Sequence, residues 1–497
     1  MEYELIAAVD MGSNSFRLQV ARVVGDQIYP LDSLKESVRL AAGLLPDKTL
    51  DVASQARGIA ALRQFGERLR GFDPLAVRAV ATNTLRVARN ASQFLAAAEA
   101  ALGFPIDVIA GREEARLIYI GVAHSLPMTS ERRLVVDIGG GSTEFIIGRA
   151  VEPILTESLY MGCVSYSMRY FPGGKVDAAR FREAEIAAAR ELENIAHEYF
   201  GMGWDVAVGS SGTAREIEEI IDQNGFNPGR SGGITRSGLD RLKTALINAG
   251  SAERLALTGM RSDRIPVLPG GLAILSAVFE LFELEHMTYG DGALRLGVLY
   301  DLLGRFHHHD MRDATVEQFM RRYQVDFAQA ARVEVMALDI FRQLWTDPGH
   351  DRDEAMHFLT WAARLHEIGI SVAHSGYHKH GAYILTFADM PGFSKKDQGR
   401  LAFLVLGHRG KLEKISSMAR DERDWGLVVS LRLAALLARS RLRDSPPVSV
   451  KVRRSAKGFR VGLPPGWLKK NAMTRCALDE EVCEWRSVGF VFDTETD

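Results

Sequence analysis

Two short stretches of the chain share one pattern: Asp10-Met-Gly-Ser-Asn-Ser-Phe-Arg17 and Asp137-Ile-Gly-Gly-Gly-Ser-Thr-Glu144. Each follows a short apolar run and leads into a second one, which predicts a strand, a tight turn and another strand. The two stretches align at an aspartate, a glycine and a serine. This repetition predicts two related lobes that face one site.

The turns have a composition suited to binding phosphate. Gly and Ser are small, so backbone N–H groups can come close to an anionic group. The aspartate that begins each turn, Asp10 or Asp137, can hold Mg²⁺ against the same phosphate oxygens. A third Gly-Ser turn follows an apolar strand and opens a helix, whose N-terminal N–H groups favour an anion. The predicted phosphate-binding residues of the three turns are Gly12, Ser13, Asn14, Ser15, Gly139, Gly140, Gly141, Ser142, Thr143, Gly209, Ser210, Ser211, Gly212 and Thr213.

Two further segments bring charged side chains to the predicted site. Arg86 follows a first-lobe strand, where its guanidinium can fork onto phosphate oxygens, although an ordinary surface role fits this residue equally well. Glu113 and Glu114 begin the helix that joins the lobes. One glutamate at a helix start is ordinarily a cap or a dipole partner. Two in succession also allow one of them to reach the cleft as a base for water.

The bulk composition excludes several classes of protein. The chain has 497 residues, enough for three or four domains, and is 46% apolar and 25% charged with a formal net charge of −2. This balance excludes a generally basic nucleic-acid binder. Three cysteines, Cys163, Cys476 and Cys483, exclude a disulfide framework. No apolar run approaches the roughly 18 residues of a membrane span, and the N-terminus leaves no room for a signal peptide. A cytoplasmic location is expected.

The chain is predicted to have four parts. Residues 1–118 and 119–304 alternate strands and helices, which is typical of an α/β architecture with mixed sheets. Residues 305–444 are predicted to be helical almost throughout. The linker signal Ser445-Pro446-Pro447 then leads to a small α+β module at residues 445–497.

The helical part contains two patterns of its own. Leu365-His-Glu-Ile-Gly369 is similar to a metal-dependent phosphohydrolase motif, but Glu367 stands where that motif has aspartate, and no following acidic ligand is evident. A metal-free helical domain is therefore predicted. Residues 439–470 carry ten Lys or Arg and a single acid. Most charge runs are solvated surfaces, but this one also favours contact with a polyanion backbone.

Taken together, these residues make the sequence resemble the exopolyphosphatase / guanosine pentaphosphate phosphohydrolase family from end to end. The segments GREEARLIYIG and DIGGGSTE are highly specific in combination. The resemblance implies a two-lobed, actin-like ATPase (ribonuclease H-like) α/β core, followed by an all-α, HD-like domain and a small α+β domain. It rests on residues 10–17, 82–86, 111–121, 136–148, 161–165, 209–213, 291–300 and 365–385.

The resemblance also implies roles for individual residues. The family's catalytic glutamate matches Glu114, and its Mg²⁺-associated acidic residues match Asp137 and Glu144. Its phosphate contacts match Asn14 and Arg86. One departure is Leu296, where the family usually has glutamate, so the stiffness of the hinge between the lobes is expected to differ.

The expected function is Mg²⁺-dependent release of terminal orthophosphate from inorganic polyphosphate, the activity of a phosphoric anhydride hydrolase. The alternative is hydrolysis of the 5′ phosphate of guanosine pentaphosphate at the same site, with guanosine tetraphosphate as a related ligand. An ATP-dependent kinase would need a second substrate, and a phosphate or alarmone sensor would not need a water-activating carboxylate. No nucleic-acid partner and no membrane insertion are expected, and the resemblance favours a homodimer.

Overall fold

The computed structural model falls into two compact units, Met1–Asp310 and Met311–Asp497. The described residues are 3–25, 27–127, 129–227, 232–306, 310–345, 350–419, 421–441, 449–455 and 457–496. The predicted linker Ser445-Pro446-Pro447 lies outside them, and the predicted division into four domains stays a prediction.

Fourteen strands are described in these ranges. They are β1 (Leu5–Met11), β2 (Phe16–Val24), β3 (Gln27–Glu36), β4 (Val77–Ala81), β5 (Ile106–Val108), β6 (Arg132–Ile138), β7 (Thr143–Arg149), β8 (Glu152–Leu159), β9 (Val206–Ser210), β10 (Ile234–Thr235), β11 (His286–Tyr289), β12 (Lys451–Ser455), β13 (Gly458–Leu463) and β14 (Val491–Thr496).

The helices of the first unit cover its two sheets. They are α1 (Val52–Arg68), α2 (Asn83–Val87), α3 (Ala91–Leu102), α4 (Gly111–Ser125), α5 (Cys163–Tyr170), α6 (Ala178–Met202), α7 (Ser211–Gln223), α8 (Arg236–Ala249), α9 (Leu268–Leu281) and α10 (Leu294–Phe306). Those of the second unit are α11 (Met311–Arg322), α12 (Phe327–Leu344), α13 (His350–Leu365), α14 (Tyr377–Phe387), α15 (Lys395–Gly407), α16 (Glu422–Leu437), α17 (Trp467–Lys470) and α18 (Ala472–Ser487).

The two sheets of the first unit repeat one topology. The first sheet has the order β3-β2-β1-β4-β5, and the second has β10-β11-β9-β6-β7-β8. In each, an antiparallel three-strand meander (β1-β2-β3 or β6-β7-β8) is extended by two parallel strands. The expected lobe-level duplication is confirmed, and the core is an actin-like α/β fold with mixed sheets.

Helices α4 and α10 form the layer between the two sheets. The central strands β1, β4, β6 and β7 are buried on both faces, which explains their continuous apolar sequences. Ile6 and Ala8 of β1 lie in one apolar cluster with Val135 of β6 and with buried residues of α4 and α10. The neighbouring β1 residues pack instead on the first lobe's own helices. The helix that carries Glu113 and Glu114 is thus held by both lobes.

The contact between α4 and α10 is backbone to backbone at glycines. A Cβ atom added to Gly297 would lie 1.7 Å from the Leu117 carbonyl oxygen, and one added to Gly121 would lie 2.2 Å from the Ala293 carbonyl oxygen. Such distances are far below van der Waals contact, so only glycine allows the helices to approach this closely.

Replacing Gly297 by Ala is therefore expected to force the two helices apart. Overpacking of this kind destabilises a protein by about 1–3 kcal/mol, which denaturant unfolding measures. Gly399→Ala is the matched control, because nothing lies within 4 Å of its added Cβ in α15. For Gly399→Ala we expect the free energy of unfolding to rise by about 0.5–1 kcal/mol, because alanine has a higher helix propensity than glycine. Equal effects of both substitutions would contradict the packing described.

The second unit is built on one apolar cluster that joins its helices to the sheet β12-β13-β14. In it, Glu367 accepts a hydrogen bond from Arg441 Nη2 at 2.5 Å, and His366 Nδ1 lies 2.7 Å from the Ala363 carbonyl oxygen. The side chains of His366 and Glu367 thus both have hydrogen-bond partners within the protein.

Part of the basic run at residues 439–470 is also neutralised within this unit. Arg460 Nε lies 3.1 Å from Glu495 Oε1, and Arg454 pairs with Glu422. The charge available to a polyanion is therefore smaller than the sequence count indicates. Among the helices described, none is both long enough and apolar enough to span a bilayer.

Candidate phosphate-binding and hydrolytic site

The two Asp-Gly/Ser stretches form the same hairpin in both lobes. Asp10 pairs with Arg17 across β1 and β2, as Asp137 pairs with Glu144 across β6 and β7. In each turn the glycine N–H donates to the serine carbonyl oxygen, at 3.2 Å for Gly12 and 2.9 Å for Gly139. The predicted strand–turn–strand hairpins are confirmed, and their equivalence extends to individual hydrogen bonds.

The two turns face each other at the junction of the lobes. A Cβ added to Gly140 would lie 3.0 Å from Ser13 Cβ and 3.3 Å from the Asn14 nitrogen. Within the part of the chain that the structure describes, no acceptor is found for the backbone N–H groups of Ser13, Asn14, Gly140 and Gly141. The junction therefore offers backbone donors to an anion.

A cavity of about 300 Å³ lies at this junction and contains most of the predicted site. It is lined by residues of all three turns, of the first turn of α4 and of the start of α10. The predicted residues that line it are Asp10, Gly12, Ser13, Asn14, Ser15, Glu114, Asp137, Gly139, Gly140, Ser142, Glu144, Ser211, Gly212 and Thr213.

The remaining predicted residues do not line this cavity. The Thr143 hydroxyl donates to the Met161 carbonyl oxygen at 2.5 Å, and the Ser210 hydroxyl donates to the Gly292 carbonyl oxygen at 3.0 Å. These two hydroxyls therefore hold the loops behind the site. The five residues outside the lining are Arg86, Gly141, Thr143, Gly209 and Ser210.

The third turn is anchored to the second-lobe hairpin. Ser211 and Thr213 both donate their hydroxyl hydrogens to the Ile138 carbonyl oxygen at 3.0 Å. Ser211 has φ of 75°, a conformation that costs a non-glycine residue about 1–3 kcal/mol. The surrounding hydrogen bonds hold this strained position at the strand-to-helix turn.

Glu113 and Glu114 have different environments although they are adjacent. Glu113 is buried and accepts two hydrogen bonds from Arg116, at 2.7 and 2.8 Å. Glu114 lines the cavity and accepts a hydrogen bond from Arg86 Nη1 at 2.6 Å. Arg86 also donates to the Ile109 carbonyl oxygen at 3.1 Å, so it fixes the position of the Glu114 carboxylate.

Three acidic side chains of the cavity, Asp10, Asp137 and Glu144, lie close to one another and are largely shielded from solvent. Burial is the main cause that raises the pKa of Asp10 to about 6, against the lowering effect of Arg295 and Arg17. Burial, with repulsion from Glu114 and Asp10, raises the pKa of Asp137 to about 7. Burial and the same kind of repulsion raise the pKa of Glu144 well above its usual value. Grouped carboxylates of this kind favour a bound cation.

These carboxylates suit a divalent cation that is only partly held by protein. Within the described ranges, no group of three or more His, Cys, Asp or Glu side chains could enclose a metal ion. Mg²⁺-type sites commonly use one or two carboxylates and take their remaining ligands from water and substrate phosphates. The carboxylate oxygens of Asp137 and Glu144, with Asp10 nearby, fit such an open site.

Several basic side chains of the cavity were not predicted from the sequence. They come from β2, β3, α7, the loop before α9 and the first turn of α10. They are Arg17, Lys35, Arg215, Arg261, Arg264 and Arg295. Although Arg17 and Arg295 fall within the family-like segments, they were not assigned to the site.

The chain matches known proteins over nearly all of its length. Residues 19–306 match the model of the Ppx/GppA phosphatase family, and residues 311–482 match Ppx/GppA phosphatase, domain III. A guanosine-5′-triphosphate,3′-diphosphate pyrophosphatase of Aeromonas hydrophila subsp. hydrophila is 37% identical over 98% of both chains. The protein of the same name from Aeromonas salmonicida is 36% identical over 98% of both.

Solved structures of similar fold cover about three fifths of the chain. An exopolyphosphatase from Cytophaga hutchinsonii is 25% identical, with a TM-score of 0.55 over 61% of this chain and 98% of that one. A Ppx/GppA family member from Aquifex aeolicus is 24% identical, with a TM-score of 0.51 over 61% of this chain and 99% of that one. The latter shows the shared fold.

Proposed function

Because the chain belongs to the Ppx/GppA phosphatase family and is a hydrolase, we propose that it removes the terminal phosphoryl group from a chain of phosphoric anhydrides. The observation that carries this proposal is the pair of equivalent turns whose free N–H groups meet in one cavity, with Glu114 beside them. A tetrahedral, highly charged chain end fits between two such turns, and positioning of this kind supplies most of the catalysis in phosphoryl transfer.

The proposed reaction assigns Glu114 as the group that orients and deprotonates the attacking water. The water oxygen forms a bond to the terminal phosphorus, the bridging P–O bond breaks, and Glu114 receives the proton of the water. Arg86 supports this step indirectly, since its hydrogen bond holds the Glu114 carboxylate in place. The N–H groups of Ser13, Asn14, Gly140 and Gly141 would stabilise the phosphoryl oxygens.

Mg²⁺ is the proposed cation of the site, held by Asp137 and Glu144 with Asp10 nearby. When bound, it neutralises negative charge on the phosphate oxygens. The protein's own contribution is to keep three buried carboxylates close together, an arrangement that is unfavourable without a cation.

Mg²⁺ is therefore expected to stabilise the wild-type protein and to lose most of this effect in Asp137→Asn. A ligand at 100 times its Kd stabilises the folded state by about 2.7 kcal/mol. Thermal unfolding with and without Mg²⁺ measures this. Asp32→Asn, a change on the surface strand β3, serves as the control and should keep the full Mg²⁺ effect. An equal Mg²⁺ effect in Asp137→Asn and wild type would contradict the assignment.

Inorganic polyphosphate is the substrate predicted from the sequence, and the similar exopolyphosphatase structure is consistent with it. Guanosine pentaphosphate is the second candidate, because two relatives that match over 98% of the chain are named as pyrophosphatases of this nucleotide. The ion pairs inside the basic run at residues 439–470 reduce the sequence argument for a long polyanion.

The test is the initial rate of orthophosphate release, with Mg²⁺, from long-chain polyphosphate and from guanosine pentaphosphate side by side. Release from either one supports terminal phosphate hydrolysis, and the faster one identifies the preferred substrate. No release from both substrates, under conditions where the protein is folded, would contradict the proposal and would favour a kinase or a sensor. The homodimer, the HD-like character of the helical region and the cytoplasmic location stay predictions.

A further inference from the structure

The basic side chains of the cavity differ in whether the protein already neutralises them. Arg264 Nε donates to Glu216 Oε2 at 2.9 Å, and Lys35 Nζ donates to Asp263 Oδ2 at 2.9 Å. Arg215 and Arg261 likewise have carboxylate partners. The charges of these side chains are therefore already compensated by carboxylates of the protein.

Arg295 is not neutralised in this way. Among the side chains that the structure describes, no carboxylate forms an ion pair with it, and its Nε atom is shielded from solvent without an acceptor. A buried donor that lacks a partner destabilises the folded protein, and more so when it is charged. Such a group needs an acceptor that the described residues do not supply, and at the wall of a cavity a bound ligand can supply it.

The backbone places Arg295 where it can meet the substrate. It lies in the first turn of α10, lines the same cavity as Glu114, and acts electrostatically on Asp10. The close glycine contacts between α10 and α4 fix the two helices against each other. The backbone packing of α4 and α10 thus fixes the positions of the two helix turns that carry Glu114 and Arg295.

We propose that Arg295 binds a non-bridging oxygen of the substrate's terminal phosphates and holds the reacting phosphorus in position relative to Glu114. This inference rests on the proposed function, because the acceptor that completes the Arg295 Nε is an oxygen of the phosphate chain. An arginine suits this task, since its guanidinium presents a rigid fork of N–H donors to phosphate. The missing hydrogen bond of Arg295 destabilises the free protein, and the substrate supplies this hydrogen bond in the complex.

The test compares Arg295→Met with the wild type, with Arg295→Lys as the conservative variant. We expect kcat/KM for orthophosphate release to fall about 10- to 150-fold in Arg295→Met, the range for a hydrogen bond to a charged group. Arg295→Lys should recover part of this loss, because lysine keeps the charge but loses the fork. Arg180→Met is the matched control, as Arg180 is an outward residue of α6 that pairs with Asp177.

Stability separates a phosphate-binding role from a structural one. Removing an unsatisfied buried donor should leave the thermal unfolding midpoint of Arg295→Met equal to that of the wild type or higher. Inorganic phosphate should raise the midpoint of the wild type more than that of Arg295→Met. A lower midpoint in Arg295→Met together with reduced activity would assign Arg295 to structure and overturn the inference.

The outcomes also distinguish this inference from the proposed function. If the wild type and Arg295→Met release orthophosphate equally well, the inference is overturned and the proposed function stands. A wild type that releases none contradicts the function. The difference in phosphate-dependent stabilisation then still decides whether Arg295 binds phosphate: a difference supports the inference and its absence overturns it.

Discussion

Replacing Glu114 by Gln is expected to lower kcat about 10²- to 10⁴-fold, the range for loss of a positioned general base. Gln keeps the shape of the side chain and can still accept the hydrogen bond that Arg86 donates at 2.6 Å. It does not accept a proton from water. The unfolding midpoint should therefore stay near the wild-type value while turnover is lost, and KM should change little.

The neighbouring residue, Glu113, is the control for the Glu114→Gln prediction. Glu113 is buried and bound by Arg116 in two hydrogen bonds, away from the cavity. Glu113→Gln should reduce stability, because it leaves buried arginine charge without its partner. Steady-state kinetics and thermal unfolding of both variants measure the two effects separately. A Glu114→Gln variant with wild-type turnover, or one that fails only because it unfolds, would contradict the role assigned to Glu114.

Replacing Asp301 by Asn is expected to be the most destabilising of the substitutions considered. Asp301 on α10 pairs with Arg78 of β4 and accepts a hydrogen bond from Arg116 Nη2 of α4 at 2.5 Å. All three side chains are buried. Removing one partner of a buried ion pair costs about 3–5 kcal/mol, because the remaining charges lose their compensation. Chemical denaturation measures this loss.

The same carboxylate gives the stability a defined dependence on pH. Burial raises the pKa of Asp301, but Arg116, Arg78 and Arg305 lower it by more, so the folded value lies below the usual one. The contribution of Asp301 to the free energy of unfolding is therefore fully present above the ordinary aspartate pKa of about 4. It is lost as the pH falls toward the pKa of Asp301 in the folded protein. The stability difference between wild type and Asp301→Asn should shrink on acidification in this window.

Asp32→Asn is the control for this prediction. Asp32 accepts a hydrogen bond from Arg68 at 2.6 Å in an exposed pair, and exposed pairs contribute about 0–1 kcal/mol. If Asp301→Asn destabilised the protein no more than Asp32→Asn, the buried network would not hold α4 and α10 as described.

The hairpins of the site could be predicted from the sequence because each is local. Apolar runs on both sides of a Gly-Ser turn specify strand, turn and strand, and the shared aspartate placed Asp10 and Asp137 at equivalent registers. The start of α4 was predicted in the same way. The finding that α4 and α10 lie between the two sheets depends on long-range packing, which no local pattern contains.

The unpredicted parts of the site are those that long-range packing creates. Phosphate binding by Arg86 stays a prediction, whereas its ion pair with Glu114, a residue of another element, could not be predicted from the local sequence. Arg264 and Arg295 enter the cavity from regions distant in sequence. Glu113 and Glu114 have the same local sequence signal, and the buried arginine and aspartate around Glu113 separate it from Glu114, which lines the cavity.

The most direct test of the central claim is hydrolysis in water enriched in oxygen-18, followed by mass analysis of both products. If water attacks the terminal phosphorus, each released orthophosphate carries one atom of the label and the shortened chain carries none. Label in the shortened chain, release of larger fragments, or transfer of the phosphoryl group to a second acceptor would contradict terminal hydrolysis between the two turns.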